Sequence, residues 1–399
     1  MANPAEHAVN FEFATAGRIV FGPGCLTSAL GAVPGFGTRA LVVTGQNTDR
    51  ASLLVARLAE LGVASSIHSV SGEPSVETAL ELVARGSDFA ADLVVGFGGG
   101  SALDAAKAVA LLLANPGDPL DYLEVVGRGL PVPAPALPGI AIPTTAGTGS
   151  EVTRNAVLAS TEHRVKVSLR DASMLPRLAI VDSELTLSVP PDVTAATGLD
   201  ALTQCIEPYL SCLANPLTDG IALEGIRHGA RSLRRAHADG SDLDARTGMT
   251  LTSLFGGLAL ANAKLGAVHG FAGPIGGMCD APHGAVCARL LPLVFAANLA
   301  ALRERAPTHP ALARMALVAQ ILLDDPAAPA DAAVGWLETL VSDLDIPGLS
   351  RFGLTESELP DLVTKAERAS SMKGNPLPLT PDELYSVAAQ ALHPPTRRR

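Results

Sequence analysis

The sequence is short of the features that mark several protein classes. Its five cysteines, Cys25, Cys205, Cys212, Cys279 and Cys287, are odd in number and show no CxxC spacing. That pattern argues against a disulfide framework or a cysteine zinc motif and fits reduced thiols, so metal held by sulfur is not expected. Positive charge is also scarce: 29 Lys and Arg against 40 Asp and Glu leave a formal charge of −11, the wrong sign for a nucleic-acid partner. The one basic run, Arg397 to Arg399, reads as a solvated tail. No stretch of about 18 uninterrupted apolar residues calls for a membrane, and Met1 to Glu6 lacks the basic and apolar regions of a signal peptide. The expectation is a cytoplasmic protein with neither a membrane nor a nucleic-acid partner. Low-complexity segments and internal repeats are missing too, and 48% hydrophobic against 17% charged residues supply enough apolar surface for a fully globular chain.

What is present is rhythm. At 399 residues the chain is long enough for two domains. Strand-like runs at 40–44, 66–70 and 93–96 alternate with helical stretches at 52–61 and 76–85, and further apolar runs follow at 139–142 and 178–181. Such alternation builds a parallel sheet with right-handed crossovers, and ligands then sit beyond the carboxyl ends of its strands. After Asp182 strand-like runs nearly vanish, and Ala- and Leu-rich helical periodicity continues to Leu392. The prolines Pro190 and Pro191 suit a helix start. The expected division is an α/β nucleotide-binding domain over 1–186 and an all-helical domain over 187–399.

Two groups of residues carry chemistry. The run Gly98, Gly99, Gly100, Ser101 follows the strand at 91–97 and opens a helix, so free backbone N–H groups and a positive helix end would face an anion, most naturally a pyrophosphate. The spacing matches neither GxGxxG nor GxxxxGK[ST], and a tight turn needing small residues is the alternative. Thr144, Thr145 and Thr148 leave the strand at 139–142 with hydroxyls suited to ribose and phosphate oxygens. Downstream, Asp200 and Gln204 share one helix face. His269 is expected to end a helix running from Leu251 to Val268, and His283 lies between Pro282 and Gly284. Asp and His are good ligands for Zn²⁺ or Fe²⁺, whereas a Gln carbonyl is a poor one. A lone histidine is more often structural, but two of them with Asp200 point to a metal or catalytic site.

Taken in order, Phe21 to Gly24, Gly98 to Lys107, Pro143 to Thr153, Asp200 to Thr203, His269 and Pro282 to Gly284 resemble the iron-containing, or group III, alcohol dehydrogenases. The resemblance runs from about Phe11 to Leu392 and includes Met372 to Thr380. It implies a dehydroquinate-synthase-like architecture, with cofactor and divalent metal in the cleft between the α/β and helical domains. By motif match, Gly99, Gly100, Ser101 and Asp104 would hold the pyrophosphate, Thr144, Thr145 and Thr148 the adenosine side, and Lys166 the nicotinamide ribose. Asp200, His269 and His283 would form the catalytic metal set, with Gln204 where the family usually carries a fourth ligand, histidine. The metal would be Fe²⁺ or Zn²⁺.

Other departures bear on cofactor and substrate. Gly45 stands where NAD-preferring members often carry an aspartate, which leaves NAD or NADP with a slight lean to NADP, and Arg50 is a candidate for the 2′-phosphate. Gly273 replaces a histidine of several members and, with Asn155 and Leu260, would shape a substrate pocket. Lys264 is a candidate handle for an anionic substrate. The implied activity is an NAD(P)-dependent, metal-assisted alcohol dehydrogenase or aldehyde reductase, assembled as the family's homodimer. The alternatives are a metal-independent oxo-acid reductase resembling maleylacetate reductase, a dehydroquinate-synthase-like lyase, and a nucleotide-binding protein without turnover.

Overall fold

The computed structural model describes residues 10–124, 126–160 and 165–394, so Met1 to Glu6 and Arg397 to Arg399 lie outside it. The first half holds strands β1 (Ile19–Phe21), β2 (Arg39–Thr44), β3 (Ala64–Ser69), β4 (Leu93–Gly98), β5 (Gly139–Pro143), β6 (Asn155–Ser160), β7 (Val165–Arg170) and β8 (Leu178–Val181). Among them run helices α1 (Leu26–Ala29), α2 (Ser52–Glu60), α3 (Val76–Asp88) and α4 (Gly100–Ala114). Six strands form one parallel sheet in the order β1-β8-β5-β4-β2-β3. Every residue of β4 is buried, as expected for a central strand covered on both faces. Two hydrophobic clusters cover the sheet, one joining Leu41, Val43 and Val94 to α4, the other joining Val42, Val95 and Ile140 to α1 and α2.

Strand order reverses between β2 and β4: the chain moves one way from β2 to β3 and the other way from β4 to β5. That switch leaves a crevice at the carboxyl ends of these two strands, where ligands bind in open α/β sheets. Gly45 and Gly98 face each other there. A Cβ added at Gly98 would lie 3.1 Å from the Gly45 nitrogen.

Two features went beyond the expected rhythm. β1 is a three-residue edge strand on β8. β6 and β7 pair antiparallel outside the main sheet, and their alternate residues Ala156, Leu158, Val167 and Leu169 pack into the cluster over α4.

From Pro191 onward the described residues contain no strand. Helices α5 (Pro191–Leu210), α6 (Pro216–Ala238), α7 (Leu243–Ala263), α8 (Ala267–Met278), α9 (His283–Arg305), α10 (Ala311–Leu323), α11 (Ala330–Asp343), α12 (Leu359–Arg368) and α13 (Pro381–Ala391) enclose one large core. Pro191 opens α5, where its missing N–H costs nothing. α9 is long and apolar enough to cross a membrane by composition, yet 78% of its apolar stretch is buried inside the protein, as befits a core helix. A small cluster of Ala16, Val152, Ala179, Val181, Leu254 and Leu258 joins the two cores.

The expected helix from Leu251 to Val268 is broken. α7 ends at Ala263, Lys264 takes a positive φ of 61°, and α8 leaves at 98° to α7. The signal was weak because Ala- and Leu-rich helical residues continue through the break, with Gly266 its one glycine. His269 therefore sits in the first turn of α8 rather than at the end of a longer helix.

Candidate active site

The N-terminal half of the site is built from backbone. Gly99 caps α4 in an extended conformation, and Gly100 is its first residue. A Cβ at Gly99 would lie 3.2 Å from Thr145 Oγ1, and one at Gly100 would lie 2.7 Å from Thr148 Cγ2. The glycine turn after β4 and the threonine loop after β5 thus touch, with Ser101 half-buried on the helix beside them. Thr144 is buried and holds the loop in register, its N–H donating to the Gly98 carbonyl at 2.9 Å.

Asp104 stands apart from this group. Its carboxylate accepts from Ser150 Oγ at 2.5 Å and from the Val157 N–H at 2.9 Å, and lies 3.1 Å from Lys107 Nζ. Lys107 in turn donates to the Ser150 and Asn155 carbonyls and to Thr153 Oγ1. A carboxylate surrounded by these donors braces α4 against the threonine loop and β6. Asn155 is held here by its backbone. Arg50 is likewise engaged, its Nη2 donating to the Leu185 carbonyl at 2.7 Å.

The loop after β5 reaches directly into the helical domain. A Cβ at Gly147 would lie 2.8 Å from Thr197 Cβ, one turn before Asp200 on α5, and Gly149, at φ 62°, is pressed on Gly257 of α7. A Cβ at Gly284 would likewise lie 2.6 Å from the Ala196 carbonyl oxygen, so the start of α9 is seated closely against α5. These approaches exclude side chains, and so the three glycines fix how the cradle meets the helices.

The helical half is built from side chains. Asp200 projects from α5, His269 from α8, and His283 and Cys287 from one face of α9. Asp200 Oδ1 lies 3.3 Å from His269 Nε2 and 3.9 Å from His283 Nε2. Cys287 Sγ lies 3.7 Å from His269 Nε2 and 3.6 Å from His283 Nε2. One donor atom from each of the four lies within 4.8 Å of the others. Asp200, His269 and Cys287 are buried, whereas the His283 side chain keeps 36% exposure, so the cluster opens past its imidazole.

Glu207, absent from the sequence-based set, orients the cluster. It lies seven residues beyond Asp200 on α5, close to the same face, and His269 Nδ1–H donates to its Oε2 at 2.6 Å. Its other oxygen accepts the Val268 N–H at 2.7 Å, while Asn375 Oδ1 accepts from the Ala267 N–H at 3.2 Å. Because Gly266 offers no side-chain cap, these two residues cap α8 from outside. This contact orients the His269 ring so that Nε2 is aimed at Asp200, the carboxylate–histidine arrangement typical of metal sites.

Charges in the cluster are perturbed together. Burial favours a neutral Asp200, but His283, His269 and a hydrogen bond from Gln204 outweigh it and hold the carboxyl down at about 2. Burial also opposes charge on His269, yet Cys287, Asp200 and Glu207 raise it well above the usual imidazole value. Burial lowers His283 and pushes the Cys287 thiol up to about 12. Two buried oxygens, Asp200 Oδ1 and Gln204 Oε1, have no hydrogen-bond partner. Unsatisfied acceptors are costly in a protein interior, and Asp200 Oδ1, which lies beside two imidazoles, fits a cation. Asp200, His269 and His283 are therefore suited to hold one, and Cys287 joins them although its spacing gave no such signal.

Lys166 bridges the halves from β7. Its Nζ pairs with Glu73 Oε1 at 2.6 Å, packs on Gly276 of α8, and with Glu73 contributes to the field at His283. Lys264, the candidate substrate handle, is instead exposed at the α7–α8 break, with its Cβ near Gly374. Gly273 meets open space: no atom lies within 4 Å of an added Cβ.

The comparisons with known proteins agree with this architecture. Residues 16–183 match the model for iron-containing alcohol dehydrogenase, and residues 194–392 match that for the Fe-containing alcohol dehydrogenase family, C-terminal. Long-chain-alcohol dehydrogenase 1 of Geobacillus thermodenitrificans is 42% identical over 317 residues, 79% of this chain and 78% of the relative. A crystal structure of 1,3-propanediol oxidoreductase superposes with a TM-score of 0.88 at 32% identity, covering 96% of this chain and all of the other. Sulfoacetaldehyde reductase from Bifidobacterium kashiwanohense, solved with NAD⁺, gives 0.84 at 29% identity, covering 96% and 99%. The chain belongs to the iron-containing alcohol dehydrogenase family and is an oxidoreductase acting on alcohols.

Proposed function

We propose that the protein interconverts an alcohol and its aldehyde or ketone by hydride transfer with NAD(H) or NADP(H), in the crevice between the sheet and α5, α8 and α9. The observation that carries this reading is the contact of the threonine loop with α5 one turn before Asp200. It sets a backbone anion cradle beside a buried cluster of cation ligands. Gly98 to Ser101 and the amino end of α4 would bind the pyrophosphate, and Thr145 and Thr148 would serve the adjoining oxygens. Lys166, held by Glu73, would face the nicotinamide ribose.

A divalent cation on Asp200, His269 and His283 would polarise the substrate oxygen and stabilise a developing alkoxide. The chain itself orients the reactants: Glu207 fixes the His269 tautomer, His283 lines the open side, and burial limits water at the reacting centre. The open space at Gly273 suits a substrate larger than ethanol and leaves the final proton to water or a ribose hydroxyl.

Beyond β2, Gly45 carries no carboxylate to repel a 2′-phosphate, and Gln46 bonds Ser71 rather than a charged group. With Arg50 tied to Leu185, neither repulsion nor a dedicated cation is in place, which supports acceptance of both NAD and NADP. A homodimer formed through β1, the end strand of the sheet among the described residues, is the proposed assembly. Its five free thiols suit a reducing, cytoplasmic setting.

The test is metal content of protein purified without chelator, together with NADH and NADPH oxidation across an aldehyde panel before and after chelation. The expected result is one divalent ion per chain, turnover with both cofactors, and loss of turnover on chelation. Metal-free protein that still reduces carbonyls would overturn the metal-assisted reading, and cofactor binding without turnover would overturn the enzymatic one.

A further inference from the structure

The fourth corner of the cluster is a sulfur, although Gln204 stands at the position the family resemblance assigns to the fourth ligand. We propose that Cys287, as thiolate, is the fourth protein ligand of the divalent cation, and that Gln204 holds Asp200 instead of the metal. The proposal rests on the cation-binding reading above.

Three observations carry it. The first is distance. A tetrahedral ion with bonds of about 2.3 Å to sulfur and about 2.0–2.1 Å to nitrogen and oxygen requires roughly 3.6 Å between sulfur and nitrogen and roughly 3.4 Å between nitrogen and oxygen. Cys287 Sγ lies 3.7 and 3.6 Å from the two imidazole nitrogens, and Asp200 Oδ1 lies 3.3 and 3.9 Å from them. Four of the six edges of a coordination tetrahedron are thus already close to their required lengths, and all four donors lie within 4.8 Å of one another.

The second observation is direction. Cys287 is fully buried and follows His283 by one helical turn, so both side chains leave α9 toward the same point. The third is the state of Gln204. It is buried one turn after Asp200 on the same face of α5, which places its amide N–H within reach of the Asp200 carboxylate. An amide carbonyl is also a poor donor beside a thiolate for a borderline-soft ion.

The donor set changes the chemistry of the site. Asp200 and a Cys287 thiolate together balance a dication, whereas Asp200 with three neutral ligands leaves one positive charge in a buried position. A sulfur donor also favours zinc or cobalt over harder ions. Binding breaks the Cys287 S–H bond and forms a sulfur–metal bond, with one proton released to solvent.

The experiment strips the full-length protein with chelator and titrates it with Co²⁺, following near-ultraviolet absorption. The expected result is a thiolate-to-cobalt charge-transfer band that saturates at one ion per chain, disappears in Cys287→Ser and Cys287→Ala, and persists in Gln204→Ala. The cysteine variants should still bind cobalt, on the order of 10- to 100-fold more weakly, the scale on which outer partners of metal sites already act. Cobalt bound at one per chain without the band, or a band that survives both cysteine substitutions, would overturn the Cys287 assignment while leaving the cation site intact. Failure to bind cobalt at all would overturn the cation reading itself and the ligand assignment with it.

Discussion

The cradle after β4 and β5 is made of backbone, whereas the cluster on α5, α8 and α9 is made of side chains. In the cradle, Gly99, Gly100, Gly147 and Gly149 work by lacking a Cβ, because threonine side chains or another backbone occupy the space it would fill. In the cluster, Asp200, His269, His283 and Cys287 work through donor atoms that three helices bring together. The difference sets what each half tolerates. A backbone cradle has no smaller residue to fall back on, while a side-chain cluster can exchange one donor for another, as Gln204 and Cys287 illustrate.

The sharpest test of that division removes a donor and leaves the cradle alone. Asp200→Ala should lower kcat by about 100- to 1,000-fold, the scale of losing a preorganised charge stabiliser, while NADH affinity by fluorescence titration stays unchanged. A matching loss of NADH affinity would show that the halves do not act separately. The next largest effect is expected at the seam. Gly149→Ala forces a side chain into a left-handed position and onto the Gly257 backbone. Left-handed strain of about 1–2 kcal/mol and overpacking of about 1–3 kcal/mol add to roughly 3 kcal/mol of lost stability in denaturant unfolding. Unchanged stability would mean that the loop is not clamped on α7 in solution.

A smaller effect separates the ligands from their support. Glu207→Gln keeps the length of the side chain but places an amide between two donors, the Val268 N–H and the His269 Nδ1–H. Metal affinity measured by chelator competition should fall on the order of 10- to 100-fold, with the fold intact by circular dichroism. Affinity equal to that of the parent protein would remove Glu207 from the site and leave it only as a cap for α8.

This contrast also governs what the sequence disclosed. A backbone site demands particular residues in an unbroken run, so Gly98 to Ser101 and the threonine loop stood out, as did the strands carrying them. The ligands were legible chiefly through resemblance, because Asp200, His269 and His283 become neighbours only when α5, α8 and α9 converge. Glu207 and Cys287 escaped notice despite helical spacings of seven and four from Asp200 and His283. A single cysteine in an apolar helix gives no CxxC signal, and a carboxylate near a helix end reads as surface. The hairpin of β6 and β7 was missed for a similar reason, since its alternating residues find their apolar partner only on α4. Arg50 and Asp104 carry charges whose local partners the sequence did not disclose: Leu185 in one case, and Ser150, Val157 and Lys107 in the other.

The buried carboxyl of Glu151 probes the brace that joins the halves. It lies in the turn after Gly149, is 1% exposed, and is raised by desolvation from 4.5 to about 7, with Lys107 only partly opposing. Between those two values the folded protein keeps a proton that the unfolded chain has released. Its stabilising contribution is therefore complete below about pH 4.5 and is lost as pH rises towards 7, by at most about 1.4 kcal/mol per pH unit. Glu151→Gln should remove that slope, so that the variant gains stability relative to the parent as pH increases through this window. Denaturant midpoints at pH 5, 6, 7 and 8, taken as parent-minus-variant differences to cancel other titrating groups, provide the measurement. A difference independent of pH would mean that Glu151 stays ionised in the fold despite its burial.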